Sequence, residues 1–475
     1  MKTKKNAIGA KCRHRYASAL GAAIMVGVPW QAQADWIQTV GIGQETSNLG
    51  SAVTATADDY DAFYTNPAGI ADFRRPFIGG GAKLFDSRNL DFKDATGNHG
   101  VPGTINEAEI AIVPGMAGYM PLNDRVTVGL GFGAPFAIAG DWNDNGGIHR
   151  FNMTDQSLIV TELSPSIGFK LSDRVNLGFA LNIVAFKHLR LTSFFGDNFL
   201  GPDADTLPDG FIRLNTDTDT TLPVPPFDEF DPAFDEIGFT LGAQFKATDR
   251  LSLGITYREE LPTTFEGTVT TNLTGAPLSD KYSLDLHMPR HVQIGGHYQV
   301  NPRLGVAMDL RWTNWSDAKG IGSPANVQFK NGTILGLQGL SINYAADDTV
   351  SVHLGVDYKL NDRWTLQAGY VYDPSPFDDS HVDILSYSSD RHIISGGASY
   401  DGRDSKTGRG WKFAGGFQLI PYKDRDIKAG ESQNLGGLSS AAFSAPGVVT
   451  FVPNNGDFSY GGFLWTAGLS ASYHF

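Results

Sequence analysis

Apolar side chains recur at every second position through long stretches of this chain. Alternate residues of an extended strand point to opposite faces, so such a stretch has one apolar and one polar face. In the last segment Phe463, Trp465, Ala467, Leu469, Ala471, Tyr473 and Phe475 share one face, and Thr466, Gly468, Ser470, Ser472 and His474 the other. Val175, Leu177, Phe179, Leu181 and Ile183 likewise oppose Asn176, Gly178, Ala180 and Asn182. Residues 237–245, 251–257, 304–312, 350–358 and 364–370 repeat the pattern. None of these apolar faces carries a charge, and several end in an aromatic: Tyr257, Trp312, Tyr358, Trp364, Tyr370, Tyr473 and Phe475. Amphipathic rings at strand ends match the girdles of a transmembrane barrel, whose tilted strands need about ten residues to cross the bilayer.

Connections alternate between short and long. Five short ones share a recipe: Asn123-Asp124-Arg125, Ser172-Asp173-Arg174, Thr248-Asp249-Arg250, Asn301-Pro302-Arg303 and Asn361-Asp362-Arg363. Their Asn, Asp, Ser and Pro residues supply turn geometry. Residues 193–235, 271–280, 317–348 and 373–390 are long, Gly-, Pro- and Asp-rich loops. Short turns at one end and long loops at the other is the asymmetry of outer-membrane barrels. Weaker strands near 77–90, 107–120, 125–139, 157–171, 281–299, 391–400 and 411–428 bring the expected total to fourteen. A soluble β protein would leave these uncharged faces as one large apolar patch, whereas a closed barrel in lipid uses them and has no free edge. The pattern predicts an all-β fold, a fourteen-stranded antiparallel transmembrane β-barrel spanning 77–475.

The beginning of the chain follows another rule. Lys2, Lys4, Lys5, Lys11, Arg13 and Arg15 precede an apolar run from Ala17 to Val28, and Ala32-Gln33-Ala34 follows. This order reads as a cleaved signal peptide over residues 1–34, with Asp35 as the mature N-terminus. The alternative, a membrane anchor, needs about 20 apolar residues, more than this run offers. Losing those six cations takes the formal charge from −14 to −20, and the only cysteine, Cys12, leaves with them. The mature chain then has no disulfide and no thiolate metal site. Its acidity excludes nucleic acid, whose phosphates require clustered Lys and Arg.

Residues 35–76 do not alternate. They are Gly-rich and polar, and include Tyr64-Thr65-Asn66-Pro67-Ala68-Gly69. The segment is long enough to fold inside the lumen as a plug; a disordered periplasmic tail is the other reading. Asn66-Pro67 fits a helix cap followed by the first helical residue. In the third strand, Gly131-Phe132-Gly133-Ala134-Pro135-Phe136 interrupts the alternation. Proline cannot donate to a ladder and glycine marks bends, so this is either a gap in the wall or a strand that ends early.

Taken in order, several motifs resemble the FadL family of long-chain fatty acid and hydrocarbon transporters. Asn66-Pro67-Ala68-Gly69 resembles the motif of that family's N-terminal hatch. Tyr257-Arg258-Glu259, Leu286-His287-Met288-Pro289 and Trp312-Thr313-Asn314-Trp315-Ser316 resemble its strand-seven, strand-eight and strand-nine signatures. Asp373-Pro374-Ser375-Pro376, Asp390-Arg391 and the terminal Tyr473-His474-Phe475 complete the set. The resemblance implies a hatch over residues 35–76 and passive uptake of hydrophobic molecules by a monomer in the Gram-negative outer membrane. It also implies a lateral opening at the kinked third strand, here Gly133, Ala134, Pro135 and Phe136.

Under this reading Phe194, Phe195, Phe199 and Leu200 become capture residues in an outer loop, or pack against neighbouring loops. Arg258, Lys187, Arg190, Lys330 and Arg391 become candidates for meeting a carboxylate head group, or halves of ion pairs with acids such as Glu259 and Asp390. Aromatic hydrocarbons are the rival cargo, since they need no basic partner. A general porin would have no plug, and a receptor barrel no lateral gap. A barrel hydrolase would need a G-x-S-x-G or H-E-x-x-H motif that the chain lacks. His287 and His291 have helical metal-ligand spacing but flank Met288-Pro289-Arg290 in a strand, so no metal or cofactor is expected. Mass spectrometry of the protein extracted from outer membranes is expected to show a chain starting at Asp35; retention of residues 1–34 would refute the cleavage site.

Overall fold

The computed structural model describes residues 37–94, 104–105, 110–141, 155–195, 210–216, 233–271, 277–333, 339–382, 388–428, 431 and 458–475. The proposed signal peptide lies outside them. Fourteen long strands form the wall: β1 (Phe77–Asp94), β2 (Ala111–Pro121), β3 (Val126–Asp141), β4 (Asp155–Lys170), β5 (Val175–Phe195), β6 (Ala233–Lys246) and β7 (Leu251–Arg258), then β8 (Arg290–Asn301), β9 (Leu304–Asn314), β10 (Thr349–Lys359), β11 (Trp364–Asp373), β12 (Arg391–Asp401), β13 (Gly410–Ile427) and β14 (Phe458–His474). Each pairs antiparallel with the next in chain order. β14 closes on β1, with Phe77 opposite His474 and Ala82 opposite Leu469.

The alternation fixes the register. Leu253, Ile255, Ile294, Met308, Leu354, Leu366, Ile394 and Leu469 are exposed on the outer surface, while Thr256, Gln293, Asp309, His353, Gln367, Ser395 and Thr466 are buried inside. A one-residue slip would exchange these sets, placing charge in lipid. At the short-turn end the rings of Trp364 and Tyr400 meet tilted with centroids 5.0 Å apart, and those of Trp411 and Tyr473 at 5.1 Å, part of an interfacial girdle. The turn recipe has one cause. Asn123 Oδ1 accepts the N–H groups of Arg125 and Val126 at 2.8 and 3.0 Å. Ser172, Thr248, Asn301 and Asn361 accept in the same way. A side-chain acceptor at the first position satisfies two backbone donors the ladder cannot reach.

The outer end differs from the sequence expectation. Strands at Gly210–Thr216, Thr264–Thr271, Leu278–Asp285, Ala325–Phe329 and Gly339–Ile342 extend the wall upward from the outer end of β5. Two of the expected loops, 193–235 and 317–348, therefore contain strands. The expected strand 281–299 is two strands, broken at Leu286–Pro289. Pro289 lacks a ladder donor, and Met288 instead exchanges two 3.0 Å hydrogen bonds with Leu261. Leu214, Phe265, Val269, Tyr282, Leu284, Val327 and Phe329 of this extension are buried.

Residues 37–76 run inside the barrel. They hold short helices at Gln44–Asn48 and Ala62–Thr65 and a 3-10 helix at Pro67–Asp72. Asn66 caps the last by accepting the Ala68 N–H at 3.0 Å, with Pro67 as its first residue. The segment is bonded to the wall all round. Asn66 Nδ2 donates to the carbonyls of Ala243 (3.2 Å) and Ile255 (3.4 Å), and Asn48 Nδ2 to Gln367 Oε1 (3.0 Å). Thr54 N–H donates to Asp309 at 2.9 Å. Lys83 donates to the carbonyls of Val40 and Gly41, Lys412 pairs with Glu45, and Lys170 and Lys246 pair with Asp72.

Such closeness requires a wall without side chains. A Cβ on Gly178 would lie 2.0 Å from the Pro67 carbonyl carbon, and one on Gly254 2.2 Å from the Thr54 oxygen. One on Gly369 would lie 2.2 Å from Gly50 N, and one on Gly242 2.0 Å from Asn66 Oδ1. Lumen-facing glycines on β5, β7, β11 and β6 thus make a collar into which the segment's backbone is pressed. Gly178→Val is expected to unseat the segment, raising ion conductance in planar bilayers and exposing residues 37–76 to protease. Gly296→Ala, on the lipid face with its nearest neighbour 3.3 Å from the new Cβ, is expected to do neither.

Candidate functional site

The strand ladder of the wall is interrupted at β3. The β2–β3 ladder runs outward only to Gly115 opposite Gly133. Beyond it, Ala111–Pro114 pair with β1. On the other side, Gly133 faces Glu162 and Phe136 faces Val160, so β3 advances three residues while β4 advances two. Pro114 and Pro135 lie on the two facing edges and have no N–H, which is why the ladder stops there. The N-terminal segment fills the vacancy: Thr39 N–H donates to the Pro135 carbonyl and Ala137 N–H to that of Ile37, both at 2.9 Å. Gly133, Ala134, Pro135 and Phe136 are therefore a bulge bonded to the chain's own beginning.

Behind the bulge lies a buried charge pair. Arg258 on β7 bonds Glu162 on β4, with side-chain accessibilities of 1% and 0%. The guanidinium lies over the Tyr64 ring at 4.9 Å and 6.0 Å from the Phe136 ring. Tyr64 OH in turn accepts from Gln38 Nε2 at 2.7 Å. Cation–π contact and ion pair together compensate the desolvated guanidinium. Arg258 thus touches both the N-terminal segment and the bulge.

The other candidate cations are also engaged. Lys187 pairs with Glu236 at 2.5 Å, and Arg391 with Asp373. Lys330 pairs with Glu266 at 2.6 Å, half-exposed on the outer extension, where its flanking Phe329 is buried. Arg190 is exposed near the outer end of β5. The acids adjacent in sequence are not the partners. Glu259 accepts from Tyr257 OH at 2.6 Å, and Asp390 lies 3.8 Å from Lys423. Phe194 and Phe195 end β5; their side chains, and Phe199 and Leu200 altogether, lie outside the described residues. His287 bonds Glu260 at 2.6 Å, whereas His291 is buried opposite Arg258, and no metal-holding group of three ligands occurs among the described residues.

Above the charge pair the lumen is apolar. Leu158, Val160, Leu189, Leu284, Leu286 and Val327 belong to one buried cluster that includes Phe136 and Ile37. Within it runs a narrow slot of about 30 Å³. The sequence reading missed this slot and missed Glu162. A signal for Glu162 was present: the alternation of β4 breaks at Thr161-Glu162, where a lone acid enters an apolar run.

A closed, lipid-faced barrel whose lumen holds its own N-terminal segment, and whose β2–β3 ladder is interrupted among the described residues, is an obstructed outer-membrane barrel. The chain belongs to the family described as outer membrane protein transport protein (OMPP1/FadL/TodX), whose profile matches residues 25–409. It is accordingly an outer-membrane transporter and not an enzyme. It is 26% identical over 416 residues to the long-chain fatty acid transport protein of Escherichia coli O6:H1, covering 81% of this chain and 86% of that one. It is 23% identical over 360 residues to outer membrane protein P1 of Haemophilus influenzae, covering 69% and 75%. Among solved structures, a Pseudomonas aeruginosa FadL homologue superposes with a TM-score of 0.71 at 20% identity, covering 93% of this chain and 100% of the other. The Pseudomonas putida toluene transporter TodX gives 0.65 at 16% identity, covering 92% and 99%.

Removing one member of the buried pair strands the other. Glu162→Gln is expected to destabilise the detergent-solubilised barrel by about 3–5 kcal/mol, read from guanidinium unfolding. Glu162→Leu combined with Arg258→Met is expected to recover most of that loss; an additive double mutant would show that the two side chains do not act as a pair.

Proposed function

We propose that this protein carries long-chain fatty acids or similarly hydrophobic molecules across the outer membrane by passive diffusion, and that cargo leaves sideways at the β2–β3 seam. The seam supports this reading most. A wall gap at Gly133–Phe136, held by backbone bonds to residues 37–39 and lined within by Phe136 and Ile37, is of little use to a water-filled pore. It suits a molecule that must pass from an apolar lumen into lipid without crossing the plug. Residues 35–76 act as the hatch, with Asn66, Pro67, Ala68 and Gly69 as its anchor on β6 and β7. The name of the Escherichia coli relative points to a fatty acid as cargo.

Aromatic hydrocarbons are the second reading. The ion pairs of Arg258, Lys187, Lys330 and Arg391 with Glu162, Glu236, Glu266 and Asp373 leave those cations already neutralised, and an uncharged cargo needs none of them. The toluene transporter of Pseudomonas putida shares the fold.

Radiolabelled oleate and toluene, offered to the purified barrel, separate the two readings: saturable oleate binding with little toluene binding supports the first, the reverse the second. Replacing Gly133–Phe136 by a regular alternating strand is expected to abolish cellular uptake while leaving binding intact. Undiminished uptake would exclude the lateral route.

A further inference from the structure

The apolar slot above the charge pair contains one polar group with nothing to bond. Gln156, on the inner face of β4, is 3% exposed, and its Oε1 has no hydrogen-bond partner among the described residues. It lines the slot together with Ile138, Leu158, Leu189, Leu286 and Val327. None of the described lining residues is charged, and the nearby Lys187 is paired with Glu236 at 2.5 Å. A buried amide oxygen left unbonded costs free energy that a residue of similar size such as Leu would avoid.

We infer that Gln156 is a specificity-determining residue that receives an uncharged hydroxyl-bearing head group: a long-chain alcohol, or a fatty acid in its protonated form. The inference rests on the hydrophobic-uptake reading and narrows its cargo. A primary amide offers one acceptor and one donor group whichever way it is turned. A hydroxyl donates to Oε1, and the O–H and C=O of a protonated carboxyl match donor and acceptor together. A carboxylate has only acceptors, so it leaves Oε1 unmatched and brings an unpaired charge into an apolar slot. Flexible aliphatic side chains around the amide accommodate an alkyl tail as they turn aside.

The full-length protein in phospholipid nanodiscs, with protein-free discs subtracted, is titrated with tritiated hexadecane, hexadecan-1-ol and palmitate. At pH 8.5 hexadecanol is expected to bind at least about tenfold more tightly than palmitate, and palmitate to gain affinity as pH falls to 5.5. Gln156→Leu is expected to weaken hexadecanol about tenfold and to abolish the pH gain of palmitate. It is expected to leave hexadecane unchanged, which also shows that the variant is folded. Equal hexadecanol affinity in wild type and Gln156→Leu, or palmitate at pH 8.5 binding as tightly as hexadecanol, overturns the inference alone. Wild-type protein that binds none of the three overturns the uptake reading with it. If Gln156→Leu loses hexadecane as well, Gln156→Met replaces it in the same titration and is judged by the same outcomes.

Discussion

The close approach of the N-terminal segment to the inner wall constrains everything else in this barrel. Backbone meets backbone at the lumen-facing glycines Gly178, Gly254 and Gly369, where even a methyl group has no room. Around that contact the remaining bonds are specific and distributed: Asn66 to β6 and β7, Asn48 to β11, Thr54 to β9, and lysines of β1, β4, β6 and β13 to the segment's carbonyls and acids. Opening the lumen along its axis means breaking all of them together. The lateral route proposed above leaves them in place.

The proposed lateral route would run through the β2–β3 seam, which is built from the same materials. Two prolines deny the β2–β3 ladder its donors, the bulge turns β3 aside, and residues 37–39 complete the wall with bonds far fewer than a full ladder makes. The Arg258–Glu162 pair stands beside it, touching Tyr64 and, through the ring, Phe136. Strong interactions hold the centre of the segment and weak ones its start.

Much of this was legible in the sequence, because lipid enforces a strict rule. An uncharged apolar residue at every second position gave the fourteen strands and their faces, and the Asn/Ser/Thr-first turns gave the short end. The interruption at Gly133–Phe136 and the cap at Asn66-Pro67 were also visible as local chemistry. The extension above the barrel was not. Its strands mix Thr, Ser, Asp and Gly on a solvated outer face, with no lipid to forbid them, so their composition reads as loop. Nor were the charge partners, because Glu162 reaches Arg258 through a register bulge and folding rather than through nearness along the chain. The glycine collar was present on the polar faces all along, as Gly178, Gly242, Gly254 and Gly369. Its meaning appears only when the segment it receives is in place.

Locking the segment to the wall tests the account most directly. Asn48 and Gln367 hydrogen-bond at 3.0 Å, and Cys12 is the one native cysteine, so in a Cys12→Ser background cysteines at these two positions can be bridged by a short bifunctional reagent. The account predicts that cells carrying the bridged protein take up labelled cargo at the rate of the same variant left unbridged. Uptake that stops on bridging and returns when a cleavable bridge is cut would mean that the plug must move bodily, and would contradict it.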